Sequence, residues 1–518
     1  MHRRHFLRSS AAGLLAVSTA PLAAETPQPK NRPNILFAIS DDQSWPHASA
    51  YGCKFVDTPA FDRVAKQGIL FDNAFVTSPQ CSPSRTSVLA GRHPWQNGDA
   101  AVHGASIPKD IPLYPALLAK AGYHVGMTGK GWGPGLFEGH NPAGKDYPAK
   151  GNDYTAAFRA FLKARKPDQP FCFWYGAKEP HRAYRKGSGV KAGKTLASVT
   201  VPKFLADRKL VRSDLLDYAV EIEFFDKHLG QILDLLKESG ELENTLVVVT
   251  SDNGMPWPRA KGSLYEYGLH MPLAICWPKK IPANRRVSDM VSLADFAPTF
   301  LAAAGAATPK GMAGRSLLNV LTSSKSGLVD KTRDRIFASL ERHTPYARKN
   351  DVGYPARAVR THHYLYIQNL KPDRWPDGDT FFNAGGSSSR DLYIAQCKNP
   401  NTQPYIRLAW AKRPPEELYD IQADPDCLHN LAGKAEHQEA QKTLKTMLHD
   451  TLVAQGDIRM AGNDRYDTLE YFKAAQWAKT RTVLIKQVKK VHDAMKKADW
   501  KHGIVIPPPA RGKRPGTK

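Results

Sequence analysis

The chain has 518 residues, 42% of them hydrophobic, and 73 Lys and Arg against 49 Asp and Glu for a net charge of +24. That length supports a substantial core, either as one large α/β domain with a smaller appendage or as about three domain-sized units. Beyond the leader no stretch is long and apolar enough to cross a bilayer, which excludes a transmembrane protein of helical type, and the basic excess favours polyanions or an acidic envelope as partners.

In chain order, Arg3-Arg4-His5-Phe6-Leu7 precedes the apolar Ala11 to Val17 and small residues around Leu22-Ala23-Ala24. This reads as a twin-arginine export signal over residues 1–24, and it predicts a periplasmic or secreted protein with no nucleic-acid partner. Four apolar runs follow, each meeting polar residues at its end: Ile35 to Ile39 before Asp41-Asp42, Tyr123 to Met127 before Gly129-Lys130, Phe171 to Tyr175 before Glu179-Pro180-His181, and Leu246 to Val249 before Asp252-Asn253. Continuous apolar runs separated by helical patterns are the mark of buried parallel strands. Ligands in open α/β sheets sit beyond the carboxyl ends of strands, so these four ends are expected to converge on one site.

Between the strands, Thr58-Pro59 caps and starts a predicted helix to Gln67, and Ser213 caps one from Asp214 to Ser239, closed by Gly240. Leu216, Val220, Phe224, Leu229, Ile232 and Leu236 form its expected core-facing stripe. The Ala, Gly and Pro-rich stretch Ala303 to Gly314 and the segment Ser323 to Gly327 close a large unit, placed at 31–330. A smaller unit at 331–460 carries predicted strands at Arg335 to Leu340 and Ala356 to Ile367, with loop-rich material from Gly385 to Arg390. Residues 461–518 form a basic helical or extended tail, which reads equally well as an anion-binding or a merely solvated segment.

Six cysteines are present. Setting Cys81 aside leaves an odd number, and Cys172 and Cys276 sit in apolar runs that suit buried free thiols, so disulfides do not organise the fold. The absence of any Cys-x-x-Cys pair argues against a zinc ribbon.

Asp41, Asp42, Asp252 and Asn253 offer hard oxygen ligands after two predicted strands. Such a set suits calcium, which takes roughly six to eight oxygens, better than zinc. Either pair alone is commonplace, since adjacent aspartates cap turns and Asp-Asn-Gly is itself a turn signal. Cys81-Ser82-Pro83-Ser84-Arg85 is the sharper feature. It resembles the Cys-x-Pro-Ser-Arg signature of the formylglycine-dependent sulfatases.

The resemblance to type I sulfatases of the alkaline phosphatase superfamily extends over residues 32 to about 435. It is carried in order by Ile35 to Asp42, the Cys81 motif, Gly129-Lys130, Glu179-Pro180-His181-Arg182, Ser251 to Gly254, Lys261 to Glu266, and Glu417 to Asp420 with Asp424-Pro425. Asn73-Ala74-Phe75, the Pro-His-Arg step and Ser251 to Pro258 look most like the heparan N-sulfatase (sulfamidase) branch. The resemblance implies a large, mostly parallel central sheet flanked by helices, with a smaller C-terminal α+β subdomain.

It further implies that a formylglycine-generating enzyme oxidises Cys81 to an aldehyde whose hydrate is the nucleophile: one hydroxyl attacks sulfur, and the other re-forms the carbonyl to expel sulfate. Asp41, Asp42, Asp252, Asn253 and the converted Cys81 would hold one Ca²⁺, which polarises the sulfuryl oxygens. Arg85, one turn on, would fix the nucleophile and the metal ligands. Lys130 and Lys261 would neutralise sulfate oxygens, with Lys261 also a candidate proton donor, and His181 would donate a proton to the leaving group or hold it.

Two departures stand out. The family places a histidine two residues after its first lysine, whereas this chain reads Lys130-Gly131-Trp132. Asp252, His103 or His140 are the candidates to replace it, and Trp132 is free to stack on a sugar ring. His270 stands where many relatives have arginine, and it reads as structural or substrate-contacting rather than catalytic. The expected activity is removal of an N- or O-sulfate from a sulfated carbohydrate. The alternatives are an arylsulfatase, phosphoester or phosphonate hydrolysis at the same geometry, and an inactive polyanion-binding protein whose Cys81 stays a thiol.

Overall fold

The computed structural model describes residues 32–381 and 387–497, so the predicted export signal and the end of the predicted basic tail lie outside the described residues. Its centre is an eight-stranded sheet in the spatial order Arg285–Val287, Ile69–Phe71, Ala274–Cys276, Thr245–Ser251, Asn34–Ser40, Phe171–Gly176, His124–Gly129 and Lys145–Asp146. Only Ala274–Cys276 runs against its neighbours. All four predicted strands are present and lie side by side in the middle. Every residue of Asn34–Ser40, Phe171–Gly176 and Thr245–Ser251 is buried, which is why their sequences read as unbroken apolar runs rather than as alternation.

Helices cover both faces. The Pro59–Gln67 helix has the predicted bounds, but Thr58 supplies no side-chain cap. Its first N–H groups donate instead to Asp226, at 2.8 Å from both Ala60 and Phe61. The long helix runs Lys209–Glu238, starting a turn earlier than Ser213 would cap it. Val211 is buried in that added turn, and Asp214 is held inside the helix by Arg182, so tertiary packing overrides the local capping signal. Its buried residues include Leu215, Leu216, Ala219, Ile222, Phe225, Leu229, Ile232 and Leu236, whereas Val220 and Phe224, expected on the stripe, are only half-buried.

The smaller sheet is antiparallel, in the order Arg335–Leu340, Ala356–Thr361, Tyr364–Asn369 and Glu416–Asp420. The segment read as one strand from Ala356 to Ile367 is therefore a hairpin turning at His362-His363. Ser388 to Arg390, expected in a loop, begin a helix capped by the Ser387 hydroxyl. No described helix is long and apolar enough to cross a membrane. All six cysteines are free, and Cys172 and Cys276 are buried.

Arg360 on the small sheet donates to Glu266 of the large unit at 2.6 Å, and His270 Nδ1 lies 3.3 Å from the same carboxylate. The His270 ring stacks on Trp45 and Phe75, each at 4.5 Å, and its Nε2 bonds the Asp72 carbonyl. His270 is thus a structural clamp. Burial opposes ionisation of Glu266, but Arg360 and His270 more than offset it and hold the carboxyl at about 2, against an ordinary 4.5. A depressed carboxyl pKa contributes stability that is complete above about pH 4.5 and is lost as pH falls toward 2, here on the order of 3 kcal/mol. Glu266→Gln is expected to lower the unfolding free energy by that order at neutral pH. In urea titrations at a series of pH values, the gap to wild type should narrow through the acid range; a gap constant from pH 7 to pH 3 would refute the assignment.

Candidate active site

Parallel pairing sets Ser40 beside Ser251, so Asp41-Asp42 and Asp252-Asn253 emerge together. Asp42 takes a left-handed conformation, with φ of 76°, and its N–H donates to Asp252 Oδ1 at 3.1 Å. On the other flank, the Asp41 N–H donates to the Glu179 carbonyl at 2.9 Å, which binds the turn before His181 to the same strand end. The Lys130 turn is set by Gly129, at φ of 72°, where an added Cβ would lie 2.1 Å from the Gly176 carbonyl; only glycine fits.

Cys81 opens the helix Cys81–Ala90, all ten residues of which are buried. That explains a helix so poor in pattern: it is enclosed on every side, and its Ser and Thr residues let neighbours approach. Arg85, one turn on, shares the face of Cys81 as expected. It is fully buried, donating to Asp252 at 2.7 Å and to the carbonyls of Lys130 and Gly131 at 2.7 and 2.8 Å.

Lys130 Nζ touches both Asp41 oxygens, at 2.7 and 2.6 Å, and Lys261 Nζ both Asp42 oxygens, at 2.6 and 2.7 Å. Three buried carboxylates thus face three cations, Arg85, Lys130 and Lys261. Burial opposes ionisation of Asp41 and Asp42, yet Lys130 at the first and Lys261 at the second, with His181 near both, hold each carboxyl below its ordinary range. Burial pulls against the charge on Lys261 too, and Asp42 outweighs it, so this lysine keeps its proton more tightly than usual. His181 stands half-exposed at the mouth, its Nε2 3.9 Å from Asp42 Oδ2.

Cys81 Sγ lies 3.7 Å from Asp41 Oδ1. Burial pushes its thiol up to about 12, with Lys130 and Lys261 opposing and Asp252 and Asp41 adding to the rise. An unmodified thiol here would stay protonated at neutral pH and be a poor nucleophile. Donor atoms of Asp41, Asp42 and Cys81 all fall within 4.8 Å of one another. Asn253 donates to Asp42 at 2.5 Å while its Oδ1 is buried without a partner among the described residues. An orphaned carbonyl oxygen beside clustered carboxylates is the donor chemistry a calcium ion requires, so the residues fit that ion.

A sequence profile described as Sulfatase matches residues 33–306. The chain belongs to the sulfatase family. It is accordingly a hydrolase of sulfuric esters or sulfamates. A second profile, N-sulphoglucosamine sulphohydrolase, C-terminal, matches residues 259–376 of this sulfatase. An ulvan-active sulfatase of Formosa agariphila is 29% identical over 82% of this chain and 81% of that protein. The N-sulphoglucosamine sulphohydrolase of Homo sapiens is 27% identical over 80% and 89%. A solved structure described as in complex with its substrate D-glucosamine-2-N,6-O-disulfate superposes with a TM-score of 0.61 at 23% identity, covering 82% of this chain and 98% of that one; it bears on the fold.

The sulfatase departs from expectation around the missing histidine. Trp132 is largely buried, with its Nε1 on Thr86 Oγ1 at 2.8 Å, and it lines the cavity above Asp41. His140 is exposed and does not line the cavity above Asp41. His103 is buried against His343, with ring centroids 4.6 Å apart, and near enough to Lys261 and Lys130 to be held neutral by burial and by these charges. Sequence reasoning missed Tyr471. The C-terminal segment returns there, with Phe472 N–H on the Gly104 carbonyl at 3.2 Å, and stacks Tyr471 on His103. Arg182 was named in the Pro-His-Arg step, but its pairing with Asp214 at 2.9 and 2.7 Å was not foreseen.

Proposed function

We propose that this sulfatase is an exported enzyme that removes sulfate, as an ester or a sulfamate, from sulfated carbohydrates. The observation that carries the reading is the meeting of Cys81 with Asp41 and Asp42, flanked by Lys130 and Lys261, at the ends of adjacent strands. The sulfated substrates named for the relatives and the net charge of +24 support the same class.

In this reading a formylglycine-generating enzyme converts Cys81 during maturation, and the hydrated aldehyde supplies the nucleophile. Asp41, Asp42, Asp252, Asn253 and the converted side chain hold one Ca²⁺, which supplies Lewis-acid polarisation of the sulfuryl group. Lys130 and Lys261 bind sulfuryl oxygens as fixed charges in a site whose groups are already in place before substrate arrives. Lys261 beside Asp42 and His181 at the mouth are the two groups placed to give a proton to the departing oxygen or nitrogen. Arg85 fixes Asp252 and the Lys130 turn and is a positioning residue. The catalytic unit is taken as 31–330, with 331–460 as the subdomain against which it closes.

The test is free sulfate measured from N-sulfoglucosamine, glucosamine-6-sulfate and an aryl sulfate, using enzyme made with active maturation machinery, beside the matched aryl phosphate. Sulfate release from at least one sugar, and a preference for the aryl sulfate over the phosphate, are expected. No sulfate from any substrate, or a preference for phosphate, would overturn the reading, and salt-sensitive binding to heparin-like chains without turnover would favour an inactive binder.

A further inference from the structure

Above the carboxylate cluster lies an open cavity of roughly 510 Å³ whose lining includes Asp41, Lys130, Trp132, Lys178, His181 and Arg182. Three of these side chains are permanent cations, and two are neutralised within the protein. Lys130 is paired with Asp41 at 2.6 Å. Arg182 is bidentate on Asp214 at 2.9 and 2.7 Å, with its guanidinium 4.2 Å from the Trp257 ring and 4.3 Å from that of Tyr184. Lys178 is exposed, and among the described residues its ammonium makes no ion pair.

Its backbone, by contrast, is fixed. The Lys178 N–H donates to the Tyr154 hydroxyl at 3.1 Å, and that hydroxyl donates in turn to the Glu179 carboxylate at 2.7 Å. The Lys178 carbonyl accepts from the His181 N–H at 3.0 Å, and the next carbonyl, of Glu179, accepts from the Asp41 N–H at 2.9 Å. A cation without an internal partner is thus mounted at the rim, on the first residue of the hydrogen-bonded turn that positions His181. A lysine on a surface elsewhere would be solvated and indifferent. Here its field is focused into a cavity that receives an anionic ligand, and burial of the neighbouring charges leaves it the unspent positive group at the entrance.

We propose that Lys178 is a specificity-determining residue that pairs with a second sulfate group on the sugar whose first sulfate reacts below. This rests on the reading of the cavity as a site for sulfated carbohydrate. A charge-assisted contact at a half-open rim corresponds to about a tenfold effect on binding.

The experiment compares kcat/KM for glucosamine-2-N,6-O-disulfate with that for whichever of N-sulfoglucosamine and glucosamine-6-sulfate is turned over. Wild type is expected to prefer the disulfate about tenfold at low salt, with the preference shrinking as salt rises. Lys178→Gln should cut kcat/KM for the disulfate about tenfold more than for the monosulfate, through KM rather than kcat, and Lys178→Arg should retain most of the preference. A wild type without preference, or a Lys178→Gln variant that leaves the disulfate-to-monosulfate ratio unaltered, overturns the role of Lys178 while leaving the carbohydrate reading intact. Turnover of the aryl sulfate with none of any sugar would instead sink the carbohydrate reading, and this inference with it.

Discussion

Cys81→Ala is expected to lower kcat for sulfate release by roughly 10⁴-fold or more, the scale of removing a nucleophile from a preorganised site. Stability should change little, because one small buried side chain becomes a methyl group in the first turn of a helix that is otherwise untouched. Cys81→Ser separates the two halves of the chemistry. A serine hydroxyl offers one oxygen that can attack sulfur, but it has no second hydroxyl from which a carbonyl could re-form to expel sulfate. Such a variant is expected to release at most one equivalent of leaving group and to retain sulfate on the substituted side chain, visible as added mass on that peptide. Multiple turnovers by Cys81→Ser, or near-normal rates in Cys81→Ala, would show that position 81 does not carry the nucleophile.

The largest stability effect is expected at Glu341. Its carboxylate is 2% exposed and receives Arg357 at 2.9 Å and Arg459 at 2.7 Å. Arg357 is held on its other side by Asp457 at 2.5 Å, and Arg459 by Asp464 at 2.5 Å and Asp467 at 3.1 Å. The network ties the small sheet to the segment after residue 456, which goes on to deliver Tyr471 beside His103. Removing one charge from such a network leaves buried guanidinium groups under-compensated, and the cost of breaking a buried pair is about 3–5 kcal/mol. Glu341→Gln should therefore lose about that much in urea unfolding, while Lys445→Gln, which breaks the exposed pair of Lys445 with Glu416, should lose under about 1 kcal/mol. Equal, small losses from both would contradict the assigned role.

The strands and the residues at their ends were legible because burial on both faces leaves a plain signature, an apolar run stopped by acids or by Gly-Lys. Cys81 and Arg85 were legible as a motif, and their shared helical face followed from spacing. The start of the long helix was not, since Lys209 to Val211 carry no capping signal and are helical because Val211 packs into the core. What anchors Trp132 was not legible for a related reason: its bond to Thr86 is a contact across 46 residues. Tyr471 with His103, Arg182 with Asp214 and the Glu341 network are pairings between distant segments that no local pattern announces. Lys178 sits beside the Glu179-Pro180-His181 step and was passed over, because a lone lysine gains meaning only when its neighbours' charges are seen to be spent.

The chemistry stands or falls on residue 81 acting as a converted, oxygen-bearing side chain. Mass spectrometry of the peptide spanning Cys81, taken from the same preparations in which sulfate release is measured, tests this most directly. Activity is predicted to rise in proportion to the fraction of that peptide carrying the aldehyde or its hydrate. Full activity in enzyme whose residue 81 is wholly an unmodified thiol would contradict it.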